Sequence, residues 1–243
     1  MLDTTNLLWY GSIAVELLFC LHLIWTKLAG TYPVFTVTLG YAVVRDLAAI
    51  YFMRGAVGPR LPLSYTYFWL WCEPPWLLLQ MALAWEVHSK MWQDQRDVLR
   101  QTRPLLVFAL LTALSAAAIP LRSEFARPEV SRLTAVMHFG ITATQYVSSV
   151  LAIFLVLSAI LFFVVVGNGR TSSVVRHEAI MAAYFAIYAL AAFVIDTGWA
   201  LADLVNGYFL SAFTLCFVAW FSVFKPQPLR TGPHGHGGTE PRP

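Results

Sequence analysis

Charge is what this chain has least of. Asp, Glu, Lys and Arg make up 12% of its 243 residues, against about 25% in an ordinary soluble domain. So sparse a charge content, with 58% hydrophobic residues and a mean hydropathy of +0.65, excludes a soluble globular chain and points to a membrane protein. Cysteine is scarce as well. Cys20, Cys72 and Cys216 are odd in number and lie inside apolar runs, which excludes a disulfide framework or a zinc-binding cluster.

Several motifs are also absent. His177-Glu178 is not followed by the second histidine of a zinc-hydrolase helix, and neither a G-x-S-x-G elbow nor a phosphate-binding glycine loop occurs. These gaps leave no catalytic constellation, so a non-enzymatic protein without a cofactor or metal is expected. The net charge of +3 is spread over loops, which excludes a nucleic-acid footprint. The last apolar run, Tyr208 to Phe224, contains no lysine, which excludes a retinal Schiff base there. Met-Leu-Asp-Thr-Thr-Asn at the start lacks a basic segment, so the first apolar run is expected to stay as an anchor. No polar stretch between apolar runs is long enough for a soluble domain.

What the chain does have is a series of apolar runs. A spanning helix needs about 20 apolar residues, and seven candidates follow one another: Leu7–Ala29, Val34–Met53, Tyr65–Val87, Pro104–Pro120, Arg132–Val166, His177–Asp203 and Tyr208–Phe224. The expected architecture is an all-α, polytopic transmembrane helix bundle over 1–225, followed by a disordered Gly/Pro/His-rich cytoplasmic tail over 226–243. The fifth run would be roughly 50 Å long, so it must tilt, project or kink, with Gly140 as the candidate hinge. The segment Met91–Arg100 suits a short interfacial helix with Trp92, Val98 and Leu99 against lipid.

Basic residues give the orientation. With the N-terminus outside, the inner loops hold Lys27, Lys90, Arg96, Arg100, Arg103, Arg170, Arg176, Lys225, Arg230 and Arg242. The outer loops hold Arg54, Arg60, Arg122, Arg127 and Arg132. Ten against five favours N-outside, C-inside.

The second run carries Arg45 and Asp46 near its middle, where ionisable groups are costly and need partners. Polar stripes on other runs could reach the same depth: Ser12, Glu16 and Cys20 on the first; His138, Thr142, Gln145 and Ser149 on the fifth; Tyr188, Ala192 and Asp196 on the sixth. Steps of three and four place such residues on one helix face. On the third run, Cys72-Glu73-Pro74-Pro75 should kink the helix and free the carbonyls of Leu70 and Trp71. Glu16, Arg45, Asp46, Glu73, Gln145 and Asp196 are therefore the candidate ligand- or ion-binding residues. Arg45 is expected to pair with Glu16 or Glu73, because Asp46 points about 100° away around the same helix.

The pattern Tyr67-Phe68 … Ala84-Trp85-Glu86, the long run Gln145-Tyr-Val-Ser-Ser … Phe162-Phe163 and the ending Ala219-Trp220-Phe221 together resemble an uncharacterised family of small seven-helix bacterial integral membrane proteins. The resemblance covers most of the chain and implies a bacterial inner (plasma) membrane; it carries no activity. The leading expectation is a bundle that binds a small ligand or cation, or serves as a membrane subunit beside partner subunits in the lipid bilayer. A proton- or cation-coupled transporter using Glu16, Glu73 and Asp196 is the alternative. A haem-binding electron-transfer subunit comes third, because no two helices show paired in-membrane histidines.

Overall fold

The computed structural model describes residues 4–53, 63–125, 131–166, 173–197 and 202–223, with the backbone alone at 4–6, 123–124, 173–174, 196–197 and 202–206. Seven helices account for nearly all of them: α1 (Thr4–Trp25), α2 (Pro33–Met53), α3 (Leu63–Met91), α4 (Arg96–Phe125), α5 (Arg132–Val166), α6 (Ser173–Thr197) and α7 (Ala202–Val223). There is no strand among the described residues. The expected all-α bundle is the observed one, while the expected tail and the loop 54–62 lie outside the described residues.

Five helices, α1, α2, α4, α5 and α6, are long and apolar enough to cross a membrane. Their outward faces carry large apolar side chains, such as Leu17, Leu18, Leu21 and Ile24 on α1, and Val156, Leu157, Ile160 and Val164 on α5. A soluble bundle would put polar groups on such faces; here the apolar groups lie on both sides of each helix. Helix α3 is long but carries Glu73, Gln80, Glu86, His88 and Lys90, and the apolar stretch of α7 is described only over Gly207–Val223.

Helix α5 is the central strut, packed against α3, α4 and α6, while α1, α2 and α7 close the other side. Phe19 of α1, Phe35 of α2, Tyr184 and Phe185 of α6, and Phe217 and Trp220 of α7 knit that side into one apolar core. The Phe19 ring meets Phe35 edge-on at 5.5 Å, and Phe35 meets Trp220 at 4.9 Å. The turn between α1 and α2 uses Lys27 in the left-handed region (φ 59). Helix α2 then starts at Pro33, where the missing proline N–H costs nothing. Its first free amides, Val34 and Phe35, donate to the Glu86 carboxylate of α3 at 3.0 and 2.8 Å. A carboxylate from another helix thus caps α2 and satisfies donors that the helix itself cannot.

One expectation fails here. The Met91–Arg100 segment is not an interfacial helix. Helix α3 continues to Met91, and α4 already begins at Arg96, extending well before Pro104. Trp92, expected against lipid, is fully buried and donates to Ser158 Oγ at 3.0 Å, because its indole N–H must be satisfied once enclosed. Pro74 and Pro75 do not break α3, which runs through them; the polar contacts described below hold it on both sides. Helix α5 runs unbroken for 35 residues, through Gly140. A Cβ at Gly140 would lie 2.8 Å from Cη2 of the Trp69 ring, so this glycine is needed for close approach of α3 and α5.

That contact sets the sign of a substitution. Alanine is favoured over glycine by about 1 kcal/mol inside a helix, but a clash in a packed seam costs about 1–3 kcal/mol. Gly140→Ala alone should lower the unfolding temperature in detergent, and Gly140→Ala in a Trp69→Leu background should raise it above Trp69→Leu alone. Thermal unfolding of the four proteins checks both signs.

Candidate ligand-binding layer

Tyr41 and Arg45 lie one helical turn apart on α2, so both project to the same side. The Arg45 guanidinium carbon sits 4.2 Å from the centroid of the Trp76 ring of α3. Tyr41 stacks on the other part of that indole, with ring centroids 6.1 Å apart and an interplanar angle of 17°. The indole N–H of Trp76 donates to the Tyr188 hydroxyl at 2.8 Å, and Tyr188 stacks with Tyr184 one turn earlier on α6. Four aromatic rings from three helices are therefore linked in one group, with the guanidinium seated on its indole. A cation on an indole face gains about 0.5–2 kcal/mol as it is desolvated.

Carboxylates outnumber this cation. Arg45 Nε donates to Asp46 Oδ1 at 3.0 Å. Glu73, 5% exposed, accepts a hydrogen bond from Thr144 Oγ1 of α5 at 2.6 Å. Glu16 of α1 is buried at 6% exposure, within the fields of Asp46 and Arg45. Its Oε2 is enclosed with no hydrogen-bond partner among the described residues. Tyr41 donates to the carbonyl of Cys72 at 2.7 Å, next to the two prolines.

The sequence-derived candidates divide cleanly. Glu16, Arg45, Asp46 and Glu73 come together in one layer. The expected partner of Arg45 is corrected: its ion pair is with neighbouring Asp46, and Glu73 is engaged by Thr144 instead. The 100° offset between adjacent side chains is bridged because the long Arg45 chain reaches Asp46 Oδ1 through Nε while its guanidinium carbon sits over Trp76. Gln145 is half-buried, and its backbone carbonyl accepts Ser149 Oγ; the face of α5 turned to α3 carries Thr144 and Ser148. The expected stripe on α5 is thus off by one residue. Asp196 lies in the last turns of α6, and its side chain is outside the described residues.

Trp76, Gln80, Thr144, Ser148 and Tyr184 were not anticipated as site residues. Glu73, Trp76 and Gln80 step by three and four along α3, a spacing that would have exposed a shared face. Gln80 is fully buried; Ser148 Oγ donates to its Oε1 at 3.4 Å, while its Nε2 has no hydrogen-bond partner among the described residues.

Arg45→Ala should lower stability in detergent by about 1–3 kcal/mol, because it leaves the half-buried Asp46 carboxylate without its donor. Adding Asp46→Asn should recover most of that loss, and adding Glu73→Gln should not, since Thr144 already serves Glu73. Unfolding curves of the single and double variants form the required cycle.

Compared with known protein families, curated proteins and solved structures, the chain matches none of them.

Proposed function

We propose that this chain is a non-enzymatic integral membrane protein whose seven helices all cross the bilayer, N-outside and C-inside, and whose Arg45 layer binds a small cation. The observation that carries the reading is the enclosed, unpartnered Oε2 of Glu16 in a layer where Glu16, Asp46 and Glu73 face one guanidinium. An uncompensated buried carboxylate costs several kcal/mol, and a cation entering beside it removes that cost. The rings of Tyr41, Trp76, Tyr184 and Tyr188 add faces that favour cations over anions.

The resemblance to small seven-helix bacterial membrane proteins and the basic-residue bias support placement in an inner membrane. Partner subunits belong to the same reading as surfaces in the lipid phase. Cation-coupled transport is the second reading, favoured by the same excess of acids. His88 is not available as a haem ligand, because both its ring nitrogens lie 2.8 Å from hydroxyls, those of Ser158 and Thr102.

Two measurements test this. Purified protein titrated with sodium, potassium or methylammonium, against N-methylglucamine, should unfold at higher temperature with one of them. The gain is about 1.4 kcal/mol near tenfold excess over Kd, and Glu16→Gln should abolish it. No shift with any cation, or an equal shift in Glu16→Gln, overturns cation binding. Single cysteines at Ser123 and Gln95, in a background without the native three, should label from opposite sides of the membrane. Labelling from one side refutes the seven-span topology.

A further inference from the structure

A second polar cluster lies about 12 Å along α3 from Gln80, at the inner end of the bundle under the orientation above. Ala84 and Val87 of α3, with Leu151 and Leu155 of α5, are all buried and form an apolar layer between the two. The cluster consists of His88 and Trp92, Thr102 of α4, Ser158 of α5 and Glu178 of α6. His88 and Glu178 are both 0% exposed.

The hydrogen bonds fix where the protons sit. Trp92 Nε1 can only donate, and it donates to Ser158 Oγ at 3.0 Å, so the serine proton is free to point at His88 Nδ1, 2.8 Å away. Thr102 donates to the carbonyl of Val98 at 2.9 Å. Its oxygen therefore accepts from His88 Nε2 at 2.8 Å. With Nε2 protonated, Nδ1 accepts from Ser158 when His88 is neutral and donates to it when His88 carries a second proton. Glu178 Oε1 lies 3.9 Å from that same Nδ1, too far for a hydrogen bond; Ser158 and His88 are the side chains beside its carboxyl group, and neither of its oxygens has a partner at hydrogen-bond geometry among the described residues.

A bare carboxylate in that position would be costly. The cost disappears when one proton is added to the cluster. We propose that His88, Ser158 and Glu178 form a binding site for a single exchangeable proton. In one form the proton is on Glu178. In the other, Glu178 gives its proton to Ser158 Oγ while Ser158 passes its own to His88 Nδ1. That leaves a carboxylate and an imidazolium, with the proton count unchanged. Loss of the proton to solvent returns neutral His88 and an ionised Glu178. The route out is short, since Trp92 is followed by the exposed residues 93–95.

Other titratable groups near this end face elsewhere. Glu86 is engaged with the amides of Val34 and Phe35, and Lys90 lies 5.9 Å from the Tyr32 ring centroid. His177 packs on the rings of Tyr32, Phe35 and Trp220. Arg100 and Arg103 of α4 are exposed, and α5 contributes the non-titrating Ser158. His88 is thus the titratable group that faces Glu178.

This site does not depend on the Arg45 layer, and its test separates the two. Acid-minus-base infrared difference spectra of the purified full chain should show a protonated-carboxyl C=O stretch. One component should vanish in Glu178→Gln and persist in Glu16→Gln and Glu73→Gln. Ser158→Ala keeps the carboxyl but removes the relay, and should move the midpoint of that component by at least a pH unit, a tenfold change in proton affinity. A folded Glu178→Gln protein with an unchanged band overturns the proposal. So does a wild-type component that does not titrate, or an unmoved midpoint in Ser158→Ala. If Glu178→Gln does not fold, the serine variant alone decides.

Discussion

The seam between α3 and α5 is the constraint on which the rest of this bundle depends. The two helices pair Glu73 with Thr144, Gln80 with Ser148 and His88 with Ser158. Residue numbers rise together along both, by 15 on α3 and 14 on α5, so the helices run parallel. A slip of one residue on either would turn these groups about 100° out of the seam and away from their partners, and an unsatisfied polar atom in a membrane costs several kcal/mol. Apolar packing between membrane helices is only weakly directional, because lipid is as apolar as leucine. Register therefore falls to the hydrogen bonds, with Gly140 letting the Trp69 ring come close at one end and Trp92 donating at the other.

From this seam the remaining helices take their places. Helix α2 is held to α3 at both levels, by Glu86 on its first amides and by Trp76 and the Cys72 carbonyl on Arg45 and Tyr41. Helix α6 meets the seam twice, through Tyr188 above and Glu178 below. Helix α4 contributes Thr102 to the lower cluster and packs on α5. Helices α1 and α7 are held mostly by aromatic packing around Phe19 and Trp220, with Glu16 as the one acid that α1 carries inward.

Much of this was legible in the residues alone. Length and hydropathy gave seven helices, and cost arguments singled out Glu16, Arg45, Asp46 and Glu73, which the fold does collect. What failed is informative. The position of α4 was misread because Arg96–Arg103 looks polar, although its first turn is closed by bonds from Val98 and Leu99 to the Gln95 carbonyl and its Val98 and Leu99 rest on Trp92. The three-and-four spacing that puts Thr142, Gln145 and Ser149 on one face of α5 also puts Thr144, Ser148 and Leu151 on another. Nothing local distinguishes the two stripes on α5; only its neighbour α3 decides between them.

The inner cluster was harder still to see, and the reason is physical. His88, Ser158 and Glu178 belong to three helices and lie 70 and 20 residues apart in sequence, so no spacing rule links them. Each looks unremarkable where it stands: a histidine near a helix end, a serine in an apolar run, a glutamate in an unmatched His-Glu pair. Only enclosure gives them meaning. Around His88, four donors and acceptors are placed so that Nε2 carries a proton, and the carboxylate beside it has no hydrogen bond among the described residues. Structural salt bridges in helix bundles satisfy both partners; here both ring nitrogens of the histidine are hydrogen-bonded, while the glutamate has no partner at hydrogen-bond geometry among the described residues. That asymmetry is what a fixed ion pair lacks, and it is what a site that gains and loses a proton requires.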